Sequence, residues 1–131
     1  CAEVVEVSSA GGKIKVETNV CAFDCGMVVD PRNVEAQVEG GIVWGLSAAR
    51  DGQITFDSGA AVQTNFHQGP LIRFSETPVI EVHLMKSDQK PGGCGEASVP
   101  PVAPALASAI HAATGKRARK LPIVEAGITL A

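Results

Sequence analysis

The sequence predicts an α+β fold, a mixed sheet with two main helices, because two strand patterns and two helix patterns are interspersed. Alternating apolar and polar residues at 2–8 and 13–20 flank a glycine-containing turn, which indicates a β-hairpin. Helical apolar spacing follows at 31–49 and again from about 101 to 114. Strands and helices do not alternate as in a doubly wound sheet, and the expected order is β-β-α-β-β-α-β.

The first helix is predicted to begin at Asp30-Pro31, with Asp30 as the N-cap and Pro31 in the first turn. An apolar stripe then recurs on one helical face: Val34, Val38, Ile42, Leu46 and Ala49. Gly40, Gly41 and Gly45 interrupt this helix, and each costs up to about 1 kcal/mol relative to alanine. They indicate that a strand, another helix or a ligand packs very close, and simple packing of the helix on the sheet is the plainest of these interpretations.

Shorter strands complete the predicted sheet. The second hairpin strand is expected to continue to Gly26, and further strands are expected at 53–56, at 78–85 and from 121 to 124. Residues 62–73 read as an extended loop with strand pieces. The second helix is expected to bury a narrow face of small residues: Ala103, Leu106, Ala107, Ile110 and Ala113.

Length and charge limit the class of protein. The 131 residues suit a single domain, 1–131, or a fragment of a longer chain. A net charge of −3 gives no basic surface for nucleic acid. No run of about 18 apolar residues predicts a membrane-spanning helix, and no secretory signal pattern is present. The chain begins at Cys1, so its start is expected to be processed or cut from something longer, and the compartment stays unassigned.

The four cysteines do not form a recognisable metal motif. Cys21 and Cys25 make a C-x3-C pair, but no second pair or histidine cluster completes a zinc-type set. Buried free thiols are the default expectation, and no metal site is predicted. A thiol redox protein that uses Cys21 and Cys25 is a competing hypothesis, although the spacing differs from the C-x-x-C motif that lowers thiol pKa values.

One glycine-rich stretch carries the candidate catalytic residue. Residues 91–98 read PGGCGEAS, so Glu96 lies in a turn beside three glycines and just before the second helix. Glycine lets the backbone approach a ligand without a Cβ in the way. A carboxylate held in this way could act as a general base. The alternative is a solvated surface turn in which Glu96 has no function.

Gln37 is the second candidate, on the first helix one turn before Gly41. Its amide could bond a ligand or could cap a neighbouring loop.

Two longer motifs resemble one protein family. The segments CAFDCGMVVDPRNVEAQVEGGIVWGLSAA at 21–49 and PGGCGEASVPPVAPALASAIHAATGKRARKLPI at 91–123 resemble the C-terminal part of the molybdenum hydroxylases. This is the molybdopterin-binding large subunit of the xanthine dehydrogenase and aldehyde oxidase family, and the isoquinoline 1-oxidoreductase-like branch is the most similar. NFHQGPLIR at 65–73 and TPVIEVHL at 77–84 fit the same family, so the resemblance covers nearly the whole chain.

The resemblance implies a function for the glycine-rich turn. Glu96 would be the base that takes a proton from a molybdenum-bound hydroxyl, whose oxygen attacks a carbon of an N-heterocycle or aldehyde. Gln37 would bond the molybdopterin cofactor, with or without an attached nucleotide, and Gly93, Cys94 and Gly95 would lie beside it. Iron–sulfur clusters on a partner subunit would carry the electrons away.

Some features depart from the family pattern. Cys94 stands where an aliphatic residue is usual, and Ala97-Ser98 replaces a common Pro-Gly. The family's catalytic subunit is also several times longer, so most contacts to cofactor and substrate would come from the remainder of the large subunit. The competing hypothesis is therefore an inert folding or assembly domain that keeps the family fold without its chemistry.

Overall fold

The computed structural model describes residues 1–131 and confirms the α+β class. A four-stranded sheet and a separate two-stranded ribbon accompany two long helices. The elements in chain order are β1 (Ala2–Ala10), β2 (Lys13–Phe23), α1 (Pro31–Asp51), β3 (Phe56–Asp57), β4 (Ala60–Ala61), β5 (Val79–Leu84), α2 (Val99–Thr114) and β6 (Thr129–Leu130). Neither helix combines the length and the apolar character needed to cross a membrane.

Strand β2 lies at the centre of the sheet. It pairs antiparallel with β1 in the predicted hairpin, and one irregularity in register falls between Glu6 and Val7. On its other edge, β5 pairs in parallel with residues 18–23 of β2 and β6 pairs in parallel with residues 13–14. The sheet is therefore mixed, as the sequence predicted.

The core is one apolar cluster between the sheet and the helices. From α1 it takes most of the predicted stripe, because Val38, Ile42, Leu46 and Ala49 are all buried. From α2 it takes Val102, Leu106 and Ile110. The predicted face of α2 was thus correct at Leu106 and Ile110 but wrong at Ala113, which is exposed.

The start of α1 is as predicted. The backbone of Asp30 is extended, and its carboxylate accepts a hydrogen bond from the Asn33 amide at 3.3 Å. Pro31 is the first helical residue, a position where its missing N–H costs nothing. A side chain therefore satisfies one of the otherwise unpaired amides at the start of the helix.

Two of the glycines in α1 are required by the second helix. A Cβ on Gly41 would overlap the Ser98 hydroxyl, and a Cβ on Gly45 would lie 2.7 Å from Cγ2 of Val102 and 2.9 Å from the Val99 carbonyl oxygen. Packing of the helix on the sheet alone was therefore the wrong interpretation, because another helix makes the close approach. Gly40 differs from its neighbours, since nothing lies within 4 Å of its Cβ position.

Three of the strand predictions were wrong, because one strand ends earlier than predicted, one is shorter and one is absent. Strand β2 ends at Phe23 instead of Gly26, because Gly26 adopts a positive φ of 76° where a Cβ would overlap the Lys90 carbonyl oxygen. The strand expected at 53–56 is only the two-residue β3. The strand expected from 121 to 124 is replaced by a 3₁₀ turn at Ile123–Ala126, preceded by Pro122, which has no N–H to donate to a sheet.

The segment 62–73 contains a 3₁₀ turn at Phe66–Gln68 instead of strand pieces. Asn65 and Gln68 explain the difference, because each side chain accepts backbone hydrogen bonds that a strand partner would otherwise take. A second 3₁₀ turn follows at Phe74–Glu76.

Helix α1 anchors the end of this segment. The Ser47 hydroxyl accepts a hydrogen bond from the Ile72 amide at 3.1 Å. Arg50 forms an ion pair with Glu76 at 2.8 Å. The pKa of Glu76 is lowered by a hydrogen bond from the Arg73 amide and by the Arg50 guanidinium. These contacts hold residues 72–76 against the C-terminal half of α1.

The glycine contacts predict opposite effects of the same substitution at two positions. We expect Gly45→Ala to destabilise the chain by about 1–3 kcal/mol, because the new methyl group would overpack Val102. Gly40→Ala has room for its methyl group and should stabilise the chain by up to about 1 kcal/mol through helix propensity. Denaturant unfolding of both variants measures the difference. Equal effects would contradict the close approach of the two helices.

Candidate functional site

Glu96 lies in a loop that is fixed at both ends. On the N-terminal side, the Gly92 amide donates to the Cys25 carbonyl oxygen at 2.7 Å, which ties the loop to the segment after β2. On the C-terminal side, the Glu96 carbonyl oxygen accepts from the Val99 amide at 2.9 Å, at the first residue of α2. The side chain of Glu96 is exposed between these anchors. The backbone of the turn is therefore anchored on both sides, and the Glu96 carboxylate is open to a reactant.

Gln37 lies on a face of α1 that carries almost no bulk beside it. Gly40 and Gly41 follow it at i+3 and i+4, and Trp44 follows at i+7, so these positions share one side of the helix. The side chains of Gln37 and Trp44 are both exposed. This face therefore presents an amide, a bare stretch of backbone and an indole ring in a row.

The two candidates line the same pocket. Its volume is about 410 Å³, and it lies between α1 and the start of α2. The lining consists of Gln37, Gly40, Gly41, Trp44, Gly95, Glu96, Val99 and Pro100. A volume of this size is within the usual range for small-molecule and cofactor sites. The structure thus brings together two residues that the sequence separates by the rest of α1, the β3–β4 ribbon and strand β5.

Ser98 holds the two walls of the pocket together. Its hydroxyl is buried and donates to the Val38 carbonyl oxygen at 3.0 Å. Because that hydroxyl bonds α1, it does not cap α2, although Ser98 occupies the N-cap position. The same hydroxyl fills the space beside Gly41. Ser98 is therefore the contact that seats the Glu96 turn on α1.

Of the other predicted cofactor residues, only Gly95 lines this pocket. Gly93 and Cys94 do not, and a Cβ on Gly93 would meet no atom within 4 Å. Cys94 is partly buried and packs against the apolar core. The structure therefore gives Cys94 the packing role of a small apolar residue.

Trp44 is the lining residue that sequence reasoning missed. Its side chain is 61% exposed although it is the only tryptophan in the chain. The i, i+3, i+4 and i+7 spacing from Gln37 was a signal that could have found it. An indole on the rim of a pocket offers an apolar face for stacking and an N–H for hydrogen bonding.

The chemistry of the lining fits part of a planar polar cofactor. The Gln37 amide offers a donor and an acceptor, and Glu96 offers an acceptor-only carboxylate when ionised. Gly40 leaves open the space that any other side chain would fill. No lining residue is positively charged, so nothing in the pocket neutralises Glu96. The set can bind a heteroaromatic edge and can accept a proton.

The thiols do not form a redox centre of the kind considered from the sequence. Cys21 and Cys25 are buried and unpaired. Burial, with a contribution from the nearby Glu3, raises the pKa of Cys21 to about 11. A thiol of that pKa stays protonated at neutral pH, whereas redox cysteines carry lowered pKa values.

Comparison with known families gives a match that covers more than half of the chain. The family described as "Molybdopterin cofactor-binding domain" matches residues 1–78. The matched region contains Gln37 and the whole of α1, and it ends before Glu96.

Two curated relatives and one solved structure are similar. The chain is 40% identical over 103 residues to the beta subunit of isoquinoline 1-oxidoreductase from Brevundimonas diminuta, covering 79% of this chain and 13% of the relative. It is 33% identical over 120 residues to a subunit of nicotinate dehydrogenase from Pseudomonas putida, covering 91% and 10%. Quinoline 2-oxidoreductase from Pseudomonas putida 86 has the same fold, with a TM-score of 0.75, 21% identity and coverage of 84% and 15%.

Proposed function

Because the chain belongs to the molybdopterin cofactor-binding family of the xanthine dehydrogenase and aldehyde oxidase group, we propose that it presents a catalytic base, Glu96, and a cofactor contact, Gln37, within a molybdenum hydroxylase. The observation that carries the proposal is the single pocket lined by both residues. Because the family consists of oxidoreductases, we expect that pocket to belong to a redox enzyme.

Gln37 is proposed to bond the cofactor because it is the one amide in the lining. The cofactor's ring system offers both donors and acceptors, and a planar amide can satisfy one of each. Gly40 keeps the helix surface beside it free of side chains, so a flat ligand can lie close to α1 there. When bound, the cofactor supplies molybdenum, which provides two-electron redox chemistry and acidifies water.

Glu96 is proposed to accept the proton that the water-derived nucleophile loses as it attacks the substrate. A positioned carboxylate within hydrogen-bond reach is sufficient for such a transfer. The two anchors of the turn fix the backbone at Glu96, and the adjacent Gly95 leaves room on the pocket side. Because the side chain is exposed in this chain, the proton can pass on to solvent after turnover.

N-heterocycles or aldehydes are the proposed substrates. The relatives described above are named for isoquinoline, nicotinate and quinoline, which are aromatic nitrogen heterocycles. The exposed indole of Trp44 supports this class, since an aromatic ring on the pocket rim can stack on a planar substrate or cofactor.

The remainder of a larger subunit is the proposed partner. The chain spans only about a tenth of the length of the two curated relatives, and both are named as subunits. Phe66 and Phe74 are 96% and 97% exposed, and covering such large apolar side chains with a partner is favourable. We propose that the rest of the catalytic subunit covers them and that a separate iron–sulfur subunit accepts the electrons.

The base assignment predicts a selective loss of turnover. In the assembled enzyme, Glu96→Gln should lower kcat by about 10²–10⁴-fold, because the amide cannot accept the proton. Molybdenum content, measured by metal analysis, should not change. Glu39→Gln is the matched control, since Glu39 is an exposed carboxylate on α1 outside the pocket. Wild-type turnover in Glu96→Gln would remove the base assignment and favour the inert assembly domain.

The cofactor contact predicts a different signature. In the same assembly, Gln37→Ala should lower the molybdopterin and molybdenum retained per chain after dialysis, because the bound state loses hydrogen bonds. Gln89→Ala removes an exposed amide outside the pocket and should retain full cofactor. Full occupancy in Gln37→Ala would count against the contact.

Recovery of the chain from its source tests the proposed assembly. We expect it to be purified with about one molybdenum per chain, together with the rest of a large subunit and an iron–sulfur polypeptide identified by mass. A chain recovered alone and without molybdenum would contradict the proposed partners. It would mean that the chain keeps the family fold but takes no part in molybdenum chemistry.

A further inference from the structure

A second group of reactive side chains lies at the open end of the β1–β2 hairpin, apart from the Glu96 pocket. Cys1 precedes β1, and Glu3 on β1 is directly opposite Cys21 on β2. The Cys1 and Cys21 sulfur atoms are 3.6 Å apart, and the Cys1 sulfur is 3.8 Å from Oε1 of Glu3. The three ligand atoms all lie within 4.8 Å of one another. Two strands thus bring together two thiols and a carboxylate.

These separations are close to the edges of a zinc coordination tetrahedron. Zn–S bonds of about 2.3 Å at tetrahedral angles place two sulfur atoms about 3.8 Å apart. A Zn–O bond of about 2.1 Å places sulfur and oxygen about 3.6 Å apart. Two of the three separations are therefore already those of ligands on one ion, and the third is at most 4.8 Å. Thiolate ligands favour zinc over hard cations such as magnesium and calcium.

Asn19 gives the group the support that metal ligands usually have. Its side-chain amide is fully buried and donates to Oε2 of Glu3 at 3.1 Å, which leaves Oε1 directed toward Cys1. Hydrogen bonds of this kind orient carboxylate ligands. The Oδ1 atom of the same amide has no hydrogen-bond partner. A buried acceptor without a donor is costly.

We propose that Cys1, Glu3 and Cys21 bind a zinc ion, with water as the fourth ligand. Glu3 forms no salt bridge in the chain, so the ion would also supply a positive partner in direct contact with its carboxylate. The inference does not depend on the proposed function of the Glu96 pocket.

The consequence is a cross-link at the free end of the hairpin. The turn at Gly11-Gly12 already joins the opposite ends of β1 and β2, whereas ladder hydrogen bonds, the Asn19–Glu3 bond and packing against α2 hold the start of β1. A zinc ion bound from both strands would pin that start to the central strand of the sheet. Because the ion binds only the folded arrangement, it would stabilise the fold by mass action.

A disulfide is the competing state of the two thiols. Cys1 is diagonal to Cys21 across the ladder, since Ala2 pairs with Ala22. Diagonal neighbours in an antiparallel pair are about 7–8 Å apart, which exceeds the usual separation across a disulfide. The diagonal position therefore favours a bridging ion over a direct bond.

Zinc binding can be measured on the assembled protein. It is purified under reducing conditions, equilibrated with Zn²⁺ alone and dialysed, and its metal content is then determined. We expect about one zinc per chain in the wild type and at least tenfold weaker retention in Cys1→Ser and Glu3→Gln. Cys25→Ser is the control, because it removes a thiol outside the group. Cys1 is exposed and Glu3 is partly buried, so Cys1→Ser tests zinc retention without disturbing the core.

X-ray absorption at the zinc edge identifies the ligands. Two sulfur atoms at about 2.3 Å are expected, falling to one in Cys1→Ser if any zinc remains. Three results would overturn the proposal: no zinc in the wild type, unchanged zinc and sulfur count in Cys1→Ser, or a Cys1–Cys21 disulfide found by mass spectrometry before reduction. None of them bears on Glu96, whose turnover test is separate.

Discussion

The close approach of α1 to the start of α2 is the contact on which the rest of this structure depends. Two glycines remove the side chains that would hold the helices apart, at Gly41 and Gly45, and Ser98 bonds the Val38 carbonyl oxygen across the gap. A buried hydroxyl with its hydrogen bond made is tolerated, whereas an unpaired one is costly. The same contact covers the apolar core on one side. On the other side it sets the distance between α1 and the Glu96 turn, which form the two walls of the pocket.

This contact also explains why a modest stretch of chain can hold a defined site. The Glu96 turn has little apolar area of its own, so its position comes from the residues on each side. Gly92 is bonded to the segment after β2, and Ser98 is bonded to α1. The backbone at Glu96 is therefore held by its neighbours before a ligand arrives. Preorganisation of this kind is what general-base chemistry requires.

One segment of the chain, in contrast to the anchored turn, is largely exposed to solvent. The segment from β3 to the second 3₁₀ turn carries two almost fully exposed phenylalanines, and it buries few of its own side chains. The core is buried within the chain, while this segment is the surface that the proposed partner would cover. The hairpin end with Cys1, Glu3 and Cys21 would be completed by an ion in place of a protein partner.

The sequence by itself determined the α+β class, the hairpin, the N-cap at Asp30 and the two helices, because each depends on local patterns of apolar spacing and turn residues. It also pointed to Gln37 and Glu96, through the family's motifs. Local patterns could not show that Gln37, Trp44 and Glu96 share a pocket, that Ser98 bonds α1, or that Cys1 meets Cys21. Those contacts join residues far apart in the chain. Only the packing of one helix on another and the register of two strands decide which distant side chains become neighbours.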